Sequence, residues 1–432
     1  MGEEGKIGFI SIVSIGVGGM IGGGIFAVLG LAVQLARGGT PVAFAIAGLI
    51  ALLTSYSYAR LSLAYPSQGG TVEFLNQAFG VGLTTGSLNI LLWLSYIVML
   101  SLYAYAFGSY GASFFNHSLL WKHILISVIV LLLTALNFMG SAVVGKAEEW
   151  IVGFKVAILL LFVVAGLWSV NAERLQLSSW SPPLQLIAGG MIIFLAYEGF
   201  ELIANTAEDV KEPEKLPLAL YTSVGFVILV YVLVALVTVG NLPYEQIVAA
   251  EDYALAASAR PFLGSAGFTL IAIAALLSTS SAINATLYGA AKVSYIIAKD
   301  GELPEELERK VWNRPVEGLI ITALAVLLVA NLFDLSSIST MGSAGFLIIF
   351  AAVNLANARL HEVTKSRRWL SLAGAVLCLL ALAILMLQTS MEAPFKTGIL
   401  IGLIGISVGM EYTYRRMTRR VIKPMCERPR EL

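Results

Sequence analysis

A lysine stands inside an otherwise apolar run, residues 151–165, which lies in a segment long enough to cross a membrane. An ionisable side chain in the hydrocarbon of a bilayer costs free energy, so such residues commonly serve proton, ion or substrate transfer. A structural role is the alternative, because a long lysine side chain near the start of a span can extend to the interface. Lys155 therefore indicates either a proton carrier or an interfacial lysine.

Two acids, Glu198 and Glu201, stand three residues apart in another apolar run. At this spacing they lie on neighbouring faces of a helix. Their carboxyl groups could carry protons, pair with a cationic substrate, or close a gate by hydrogen bonding; the alternative is a carboxylate that faces a water-filled vestibule. The aromatic side chains of Tyr96 and Tyr197 could also act as gates, although packing in the core is the simpler role for each.

Glycines interrupt two of the apolar runs. One run has six glycines within residues 16–24, and the other has Gly189 and Gly190 followed by residues 196–199. Each glycine lowers helix propensity by roughly 1 kcal/mol relative to alanine. We therefore expect both helices to unwind in part, although the GxxxG spacings of the first cluster would also suit close helix packing.

An unwound backbone offers free amides and carbonyls to a zwitterionic ligand. Amides at the start of a half-helix bind anions without a charged side chain, so Gly22, Gly23 and Gly24 are predicted to bind the carboxylate of an amino acid. Carbonyls released by the second break are predicted to bind its ammonium group. The candidates in this second segment are Phe194, Leu195, Ala196 and Glu198.

Four consecutive hydroxyl side chains, residues 278–281, fall in a later apolar run. Such side chains often bond to the backbone of their own helix. Four in succession cover every face, however, so at least one is expected to point into the helix bundle. Hydroxyl oxygens there would suit either a sodium ion or a lysine ammonium group.

The composition is that of a polytopic membrane protein. Apolar residues make up 58% of the 432 residues, charged residues make up 12%, and the mean hydropathy is +0.84. A transmembrane helix needs about 20 apolar residues, and runs of that length exclude a β-barrel, whose strands would be short and alternating. We predict an all-α polytopic fold with twelve transmembrane helices, near residues 8–35, 42–65, 83–115, 123–143, 148–170, 184–207, 217–240, 265–298, 317–333, 337–358, 369–388 and 397–414.

Basic residues are concentrated in alternate connections between these spans. This bias predicts that the N- and C-termini are cytoplasmic and that the number of spans is even. The first span is longer than a signal-peptide core and lacks a convincing cleavage site, so we expect it to be retained in a multi-pass protein of the plasma membrane. The outer connections would carry few basic residues, namely Arg37, Lys122, Arg174, Arg260 and Lys396.

Other classes of protein fit the sequence less well. The net charge is zero, which gives no indication of a nucleic-acid partner, and the two cysteines and three histidines are scattered, so no metal site or cofactor is predicted. An intramembrane enzyme would need a nucleophile–base pair, and an ATP-driven pump would need a phosphate-binding loop. A channel would need a continuous polar pore. The pattern favours a carrier rather than an enzyme; no oligomeric state is predicted.

The two interrupted spans are five helices apart, which is typical of an inverted-repeat transporter. We predict one transmembrane domain, residues 1–432. It would comprise a first five-helix repeat (1–170), a second inverted repeat (184–360), two peripheral helices (369–414) and a basic cytoplasmic tail (415–432).

Several motifs resemble those of the amino acid–polyamine–organocation (APC) superfamily of transporters. They are GGGIF at 22–26, PSQGG at 66–70, FG at 79–80, YEGFE at 197–201 and EDVKEP at 208–213. A closer resemblance, to archaeal proton-coupled amino acid transporters of broad specificity, rests on ALNF at 135–138, GNLP at 240–243, SSAINAT at 280–286 and AKDGELP at 298–304. The resemblance covers nearly the whole chain and implies a LeuT-type fold, a 5+5 inverted repeat with discontinuous helices 1 and 6.

The resemblance also implies how coupling would work. In sodium-coupled relatives a sodium ion occupies the position that matches the ammonium group of Lys155, which would then approach Gly18 and either Thr279 or Ser280. These residues would form a proton-coupling site in place of a sodium site.

For the substrate, the resemblance implies that its carboxylate contacts Ile21, Gly23 and Gly24. Glu198 and Glu201 depart from the archaeal transporter that the chain resembles, which has an apolar residue and a glycine at these positions. Extra acids near the pocket could admit cationic substrates. The expected function is therefore proton-coupled, sodium-independent uptake of amino acids by alternating access. The alternatives are a carrier of cationic amino acids or polyamines and an exchanger without ion coupling.

Overall fold

The computed structural model of the protein describes residues 6–116, 118–139, 144–299 and 316–418. Within these ranges the regular structure is helical apart from two isolated bridges, so the predicted all-α class is confirmed. The last part of the predicted basic tail, residues 419–432, lies outside the described residues. The α-helices are α1 (Phe9–Met20), α2 (Gly24–Ala36), α3 (Thr40–Ala64), α4 (Thr71–Phe79), α5 (Leu83–Ala112), α6 (Leu119–Met139), α7 (Val144–Leu167), α8 (Pro183–Ile192), α9 (Leu216–Asn241), α10 (Tyr244–Ala250), α11 (Ala254–Lys299), α12 (Val316–Leu332), α13 (Leu335–Arg359), α14 (Arg368–Glu392) and α15 (Pro394–Thr418).

Many of these helices could cross a membrane. In the described ranges nine helices are long and apolar enough, or eleven if each of two bent helix pairs forms one span, and a shorter apolar helix covers Glu317–Leu332. Large apolar side chains are exposed on the outer helices, such as Leu131 on α6, Val376 on α14 and Ile401 on α15. Apolar surface of this extent marks a contact with lipid. The protein is therefore a multi-pass membrane protein.

The two bent pairs are the interrupted spans. Helix α1 ends at Met20 and α2 begins at Gly24, with a bend of 44° between them. Helix α8 ends at Ile192 and continues, after a bend of 41°, as a 3₁₀-helical segment, Phe194–Asp209. A long 3₁₀ segment in the middle of a span is uncommon and often marks a functional hinge.

The second break differs in position from the glycine pair that suggested it. Gly189 and Gly190 lie inside α8, and the chain bends at Ile193 instead. An ideal Cβ atom on Gly190 would lie 2.5 Å from the carbonyl oxygen of Ala43, and one on Gly189 would lie 3.0 Å from Cβ of Ala36. This glycine pair therefore allows α8 to pack closely against its neighbours.

Helices five spans apart pack against each other in the centre of the bundle. Helix α1 packs against the segment 194–209, α3 packs against α9, and α5 packs against α11. The interrupted spans cross in backbone contact, because an ideal Cβ on Gly199 would lie 2.2 Å from the carbonyl carbon of Gly19. Only glycine at both positions permits this approach.

The start of the described chain is attached to the end of the second interrupted span. The backbone N–H of Ile7 donates to the carbonyl oxygen of Asp209 at 2.8 Å, and the N–H of Lys211 donates to the carbonyl oxygen of Ile7 at 3.0 Å. These two bonds form a parallel bridge between Ile7 and Val210. The segment before α1 is thereby joined to the segment after residue 209.

The structure also contains features that hydropathy does not reveal. Helix α11 is longer than the predicted span 265–298, because it starts at Ala254 and continues through a kink at Gly264, which has a φ of 65°. Two short helices, α4 and α10, connect longer ones. Helix α4 brings Thr71 close to the second interrupted span, where it contributes to the site described next.

Candidate functional site

The candidate substrate residues of the two interrupted spans come together at their crossing. An ideal Cβ on Gly24 would lie 2.7 Å from Cα of Ala196, so the start of α2 touches the segment that follows α8. The backbone N–H groups of Gly22 and Gly23 donate to no backbone oxygen in the described part of the chain. Gly24 begins α2, and the first N–H groups of a helix have no partner within it. The crossing thus offers amides to an anion.

Side chains from other helices satisfy the remaining backbone groups of the breaks. The Tyr231 hydroxyl donates to the carbonyl oxygens of Met20, at 2.5 Å, and of Ala196, at 3.3 Å, and so joins both breaks. On the other side, the backbone N–H of Leu195 donates to the hydroxyl of Ser343 at 3.0 Å. These bonds supply hydrogen-bond partners to backbone groups that lack a helix partner.

Lys155 is fully buried on α7, with 0% of its surface exposed. Its Nζ atom donates to the carbonyl oxygen of Gly18 at 2.8 Å. The structure therefore contains the contact with span 1 that the resemblance implies. A lysine that reached the interface would be exposed, so the interfacial alternative does not describe this side chain.

The hydroxyl side chains of residues 278–281 lie on α11, the eighth predicted span, and they divide into two groups. Thr279 donates to the carbonyl oxygen of Ala275 at 2.7 Å, and Ser280 donates to that of Leu276 at 2.7 Å, so both bond to their own helix. Ser278, which the sequence did not single out individually, reaches span 1 instead. The Ser278 hydroxyl lies 2.8 Å from the carbonyl oxygen of Ile21 and 2.6 Å from that of Gly22.

Glu198 and Glu201 are both buried, with 1% of each exposed, and they lie three residues apart on the 3₁₀-helical segment, where side chains at this spacing eclipse each other. The hydroxyls of Tyr58 and Tyr96 donate to the two oxygens of Glu201, the first at 3.0 Å. Oε2 of Glu198 has no hydrogen-bond partner among the described residues. The two acids therefore differ: Glu201 receives several donors, and Glu198 presents a free acceptor.

One face of α5 lines the crossing. Tyr96 and Tyr103 are seven residues apart, which places both on the same side of a helix. Tyr96 contacts Glu201, whereas an ideal Cβ on Gly23 would lie 2.3 Å from Cδ1 of Tyr103. In the chain, Glu198 stands between Ala196, which touches Gly24, and Gly199, which touches Gly19. It therefore lies beside the glycine break of span 1.

Tyr197, the other predicted gate residue, and Phe194, a candidate residue of the second break, both lie in the core of the protein. The Tyr197 hydroxyl donates to the carbonyl oxygen of Phe44 on α3 at 3.0 Å. Phe194 is buried and its ring packs edge-on against Phe350 of α13 at 5.8 Å between centroids. Both side chains thus fix the second break to neighbouring helices.

Sequence reasoning missed several residues of this site, namely Tyr58, Thr71, Tyr103, Tyr231, Ser278 and Ser343. A general signal was available for the tyrosines. A hydroxyl in an apolar span needs a hydrogen-bond partner, and broken helices are the main source of free acceptors. No group of three potential metal ligands occurs in the described ranges.

Two interrupted helices that cross at a buried polar site define a membrane transport protein. Comparison with known proteins gives the family. The amino acid permease family matches residues 7–408, and the chain belongs to this family within the APC superfamily. It is a transporter and not an enzyme.

Three relatives show how far the similarity extends. The chain is 38% identical over 421 residues to an uncharacterized protein of Methanocaldococcus jannaschii, with 96% of each chain covered. It is 33% identical over 380 residues to the inner membrane transport protein YbaT of Escherichia coli, covering 87% of this chain and 88% of YbaT. It is 26% identical over 369 residues to the methylthioribose transporter of Bacillus subtilis, covering 79% and 78%.

Proposed function

We propose that this protein is a proton-coupled, sodium-independent amino acid transporter that works by alternating access. The chain would cross the plasma membrane twelve times in a LeuT-type 5+5 inverted repeat, and both of its termini would lie in the cytoplasm. Packing between helices five spans apart supports the repeat, because the two halves of such a fold meet through equivalent helices. The eleven candidate spans and the short helix Glu317–Leu332 agree with twelve spans.

The observation that carries the proposal is the bond between Lys155 and Gly18. The Lys155 Nζ atom on α7 donates to the backbone carbonyl of Gly18 at 2.8 Å. A positive charge at this position therefore links α7 to the helix that leads into the break of span 1. Protonation supplies that cation, and loss of the proton removes the charge. Proton binding therefore has different free energies in states that make or break this contact, which biases the equilibrium between them.

The substrate would bind at the crossing of the interrupted spans. Its carboxylate would accept from the amides of Gly22, Gly23 and Gly24. Ile21, which the resemblance also implies, is not free to donate, because its N–H already donates to the carbonyl oxygen of Val17 at 2.8 Å. Its ammonium group would bind to the carbonyls of Phe194, Leu195 and Ala196 or to Glu198. The unpaired amides of Gly22 and Gly23 support this orientation, since a buried N–H without a partner costs free energy that an anion would recover.

Replacement of Lys155 by alanine tests the proposal. In proteoliposomes of the parent protein, an imposed pH gradient should drive accumulation of L-alanine, and exchange of sodium for potassium should change nothing. Lys155→Ala should lose accumulation but keep counterflow of L-alanine between two sides at equal pH, which shows that the variant is folded and binds substrate. Accumulation by the variant, or a requirement for sodium in the parent, would contradict the proposal.

A carrier of cationic amino acids is the second candidate. The specific observation in its favour is the unpaired oxygen of Glu198, which could accept from an ammonium group on the substrate side chain. Uptake of L-lysine and L-alanine into the same proteoliposomes, each in competition with the other, distinguishes the two candidates. Exclusive uptake of L-lysine would replace the first candidate with the second.

A further inference from the structure

Glu198 and Glu201 form a buried acid pair that the Lys155 mechanism does not use. They are three residues apart on a 3₁₀-helical segment, where side chains at this spacing eclipse each other, and both are buried. An ionised carboxylate can only accept a hydrogen bond, so two carboxyl groups placed side by side can bond to each other only if one of them carries a proton. Two bare carboxylates this close would also repel each other strongly in a medium of low dielectric constant. The pair therefore holds one proton.

The surroundings indicate which acid carries it. The oxygens of Glu201 accept from the hydroxyls of Tyr58 and Tyr96, and the Tyr58 hydroxyl is itself bonded to the hydroxyl of Thr71 at 2.8 Å. Hydrogen bonds of this kind stabilise the charged form. Glu198 has no comparable donors, since Oε2 is unpartnered. The negative charge accordingly belongs on Glu201 and the proton on Glu198.

Among the residues that the structure describes, no basic side chain forms an ion pair with either acid, Glu198 or Glu201. The titratable groups that face the pair from the helices packed around it are tyrosines, namely Tyr58 on α3, Tyr96 and Tyr103 on α5, and Tyr231 on α9 beside Tyr103. A cation that enters the site would therefore meet its first counter-charge at these acids.

We propose that Glu198 and Glu201 share a proton while a neutral amino acid is bound, and that a substrate with a cationic side chain binds to Glu198 in exchange for that proton. The inference rests on the proposed function and adds a second proton site to it. Glu198, whose Oε2 atom is unpartnered among the described residues, stands between Ala196 and Gly199, which touch Gly24 and Gly19 at the glycine break, where the substrate would bind. One fixed site could thereby accept two classes of side chain.

Charge balances in this exchange. The protonated carboxyl of Glu198 loses its proton to the aqueous side from which the substrate entered, and the substrate ammonium group takes its place beside the carboxylate. Glu201 keeps its negative charge throughout. The net charge of the loaded site is then the same for a neutral and a cationic amino acid, so both substrates meet the same electrostatic cost when the site moves across the membrane.

Proton release on binding tests the proposal directly. L-Lysine and L-norleucine have side chains of similar length, and only the first carries an ammonium group. Each is added to the purified full-length protein in weakly buffered detergent with a pH-sensitive dye, while binding is followed separately by displacement of radiolabelled L-alanine. We expect L-lysine to release about one proton more per bound molecule than L-norleucine, as required by the exchange of one charge for another.

Glu198→Gln supplies the matched variant. Its amide can still donate to Glu201, but it cannot release a proton. The difference in proton release should vanish, and L-lysine should lose about tenfold to hundredfold more affinity than L-norleucine does, because only L-lysine has a side-chain ammonium group that loses a charge-assisted hydrogen bond. Glu411→Gln, at a buried acid that pairs with Arg415 on α15, should leave the difference unchanged.

Infrared difference spectra give an independent reading. Lysine binding should remove a carboxylic acid C=O band from the parent protein, and Glu198→Gln should lack that change. If both amino acids bind and release equal numbers of protons, or if L-lysine does not bind, the shared-proton proposal is wrong while the transporter assignment stands. If neither amino acid displaces L-alanine and L-alanine itself does not bind, the proposed function is wrong and this inference falls with it.

Discussion

Gly19 and Gly199 touch through their backbones at the point where the two interrupted spans cross. Neither residue has a side chain to keep the helices apart, so the crossing is closer than an alanine would permit. Because the candidate substrate residues lie on both sides of this contact, the separation of the two spans decides the width of the site.

A methyl group at residue 199 should therefore disturb transport. Gly199→Ala places a Cβ 2.2 Å from the carbonyl carbon of Gly19, which requires backbone movement and should cost about 1–3 kcal/mol. We expect a lower melting temperature and weaker L-alanine binding. Gly225→Ala on α9 is the control, because no atom lies within 4 Å of its added Cβ; a melting temperature equal for both variants would contradict the close crossing.

The hydroxyl of Ser278 should matter more than that of Ser280. Ser278→Ala removes the bonds to the carbonyls of Ile21 and Gly22, whereas Ser280→Ala removes only a bond within α11. Loss of about 1 kcal/mol at the break should weaken L-alanine binding about fivefold in Ser278→Ala. Equilibrium binding to both purified variants measures this, and equal affinities would show that Ser278 does not hold the break.

The Tyr231 hydroxyl should stabilise both breaks together. Tyr231→Phe keeps the ring contacts with Phe44 and Tyr197 but leaves the carbonyls of Met20 and Ala196 without this donor. Unsatisfied buried carbonyls should lower stability by about 1–3 kcal/mol. Thermal unfolding in detergent provides the measurement.

The control for this change lies on the same helix. The Tyr221 hydroxyl makes no hydrogen bond to another described residue, so Tyr221→Phe should leave the melting temperature nearly unchanged. An equal loss in both variants would assign the effect to α9 in general and not to the two carbonyls.

Asp334 should make stability depend on pH at one end of α13. Burial acts to raise the pKa of Asp334, but hydrogen bonds from Ser337 and the charge of Lys396 outweigh it, so the pKa lies below its ordinary value of 3.8. Its stabilisation is therefore present above that ordinary value and is lost as the pH falls through the lower folded-state pKa. Asp334→Ala should also lose the helix cap, worth about 1 kcal/mol.

Asp334→Asn separates the charge from the cap, because asparagine caps helices as well as aspartate does. Melting temperatures of the three proteins between neutral and strongly acid pH provide the test. The gap between the parent and Asp334→Asn should narrow as the pH falls. A constant gap would mean that the ion pair with Lys396, at 3.5 Å, contributes nothing.

The sequence predicted most of the fold, because apolar runs of helix length and glycine clusters are local features. It also indicated the right segments for the site, since Gly24 and Ala196 do meet. It placed the second break around residues 194–198, directly after the bend at Ile193, but it did not predict that Gly189 and Gly190 serve packing, because packing partners come from distant parts of the chain. The donor Tyr231 was missed for the same reason, and the four hydroxyls at 278–281 did not show that Ser278 is the one that reaches span 1.

The bridge at Ile7 makes the two interrupted spans one mechanical unit at that end of the molecule. Helix α1 cannot swing away from the bundle alone, since the bonds from Ile7 to Asp209 and from Lys211 to Ile7 would have to break first. Either α1 and the segment 194–209 move together as a rigid pair, or the two hydrogen bonds of Ile7 break and the chain before α1 separates from the chain after residue 209. A path that opens on this side then requires the displacement of two helices, and the two backbone N–H groups that control its opening, those of Ile7 and Lys211, can be removed only by proline.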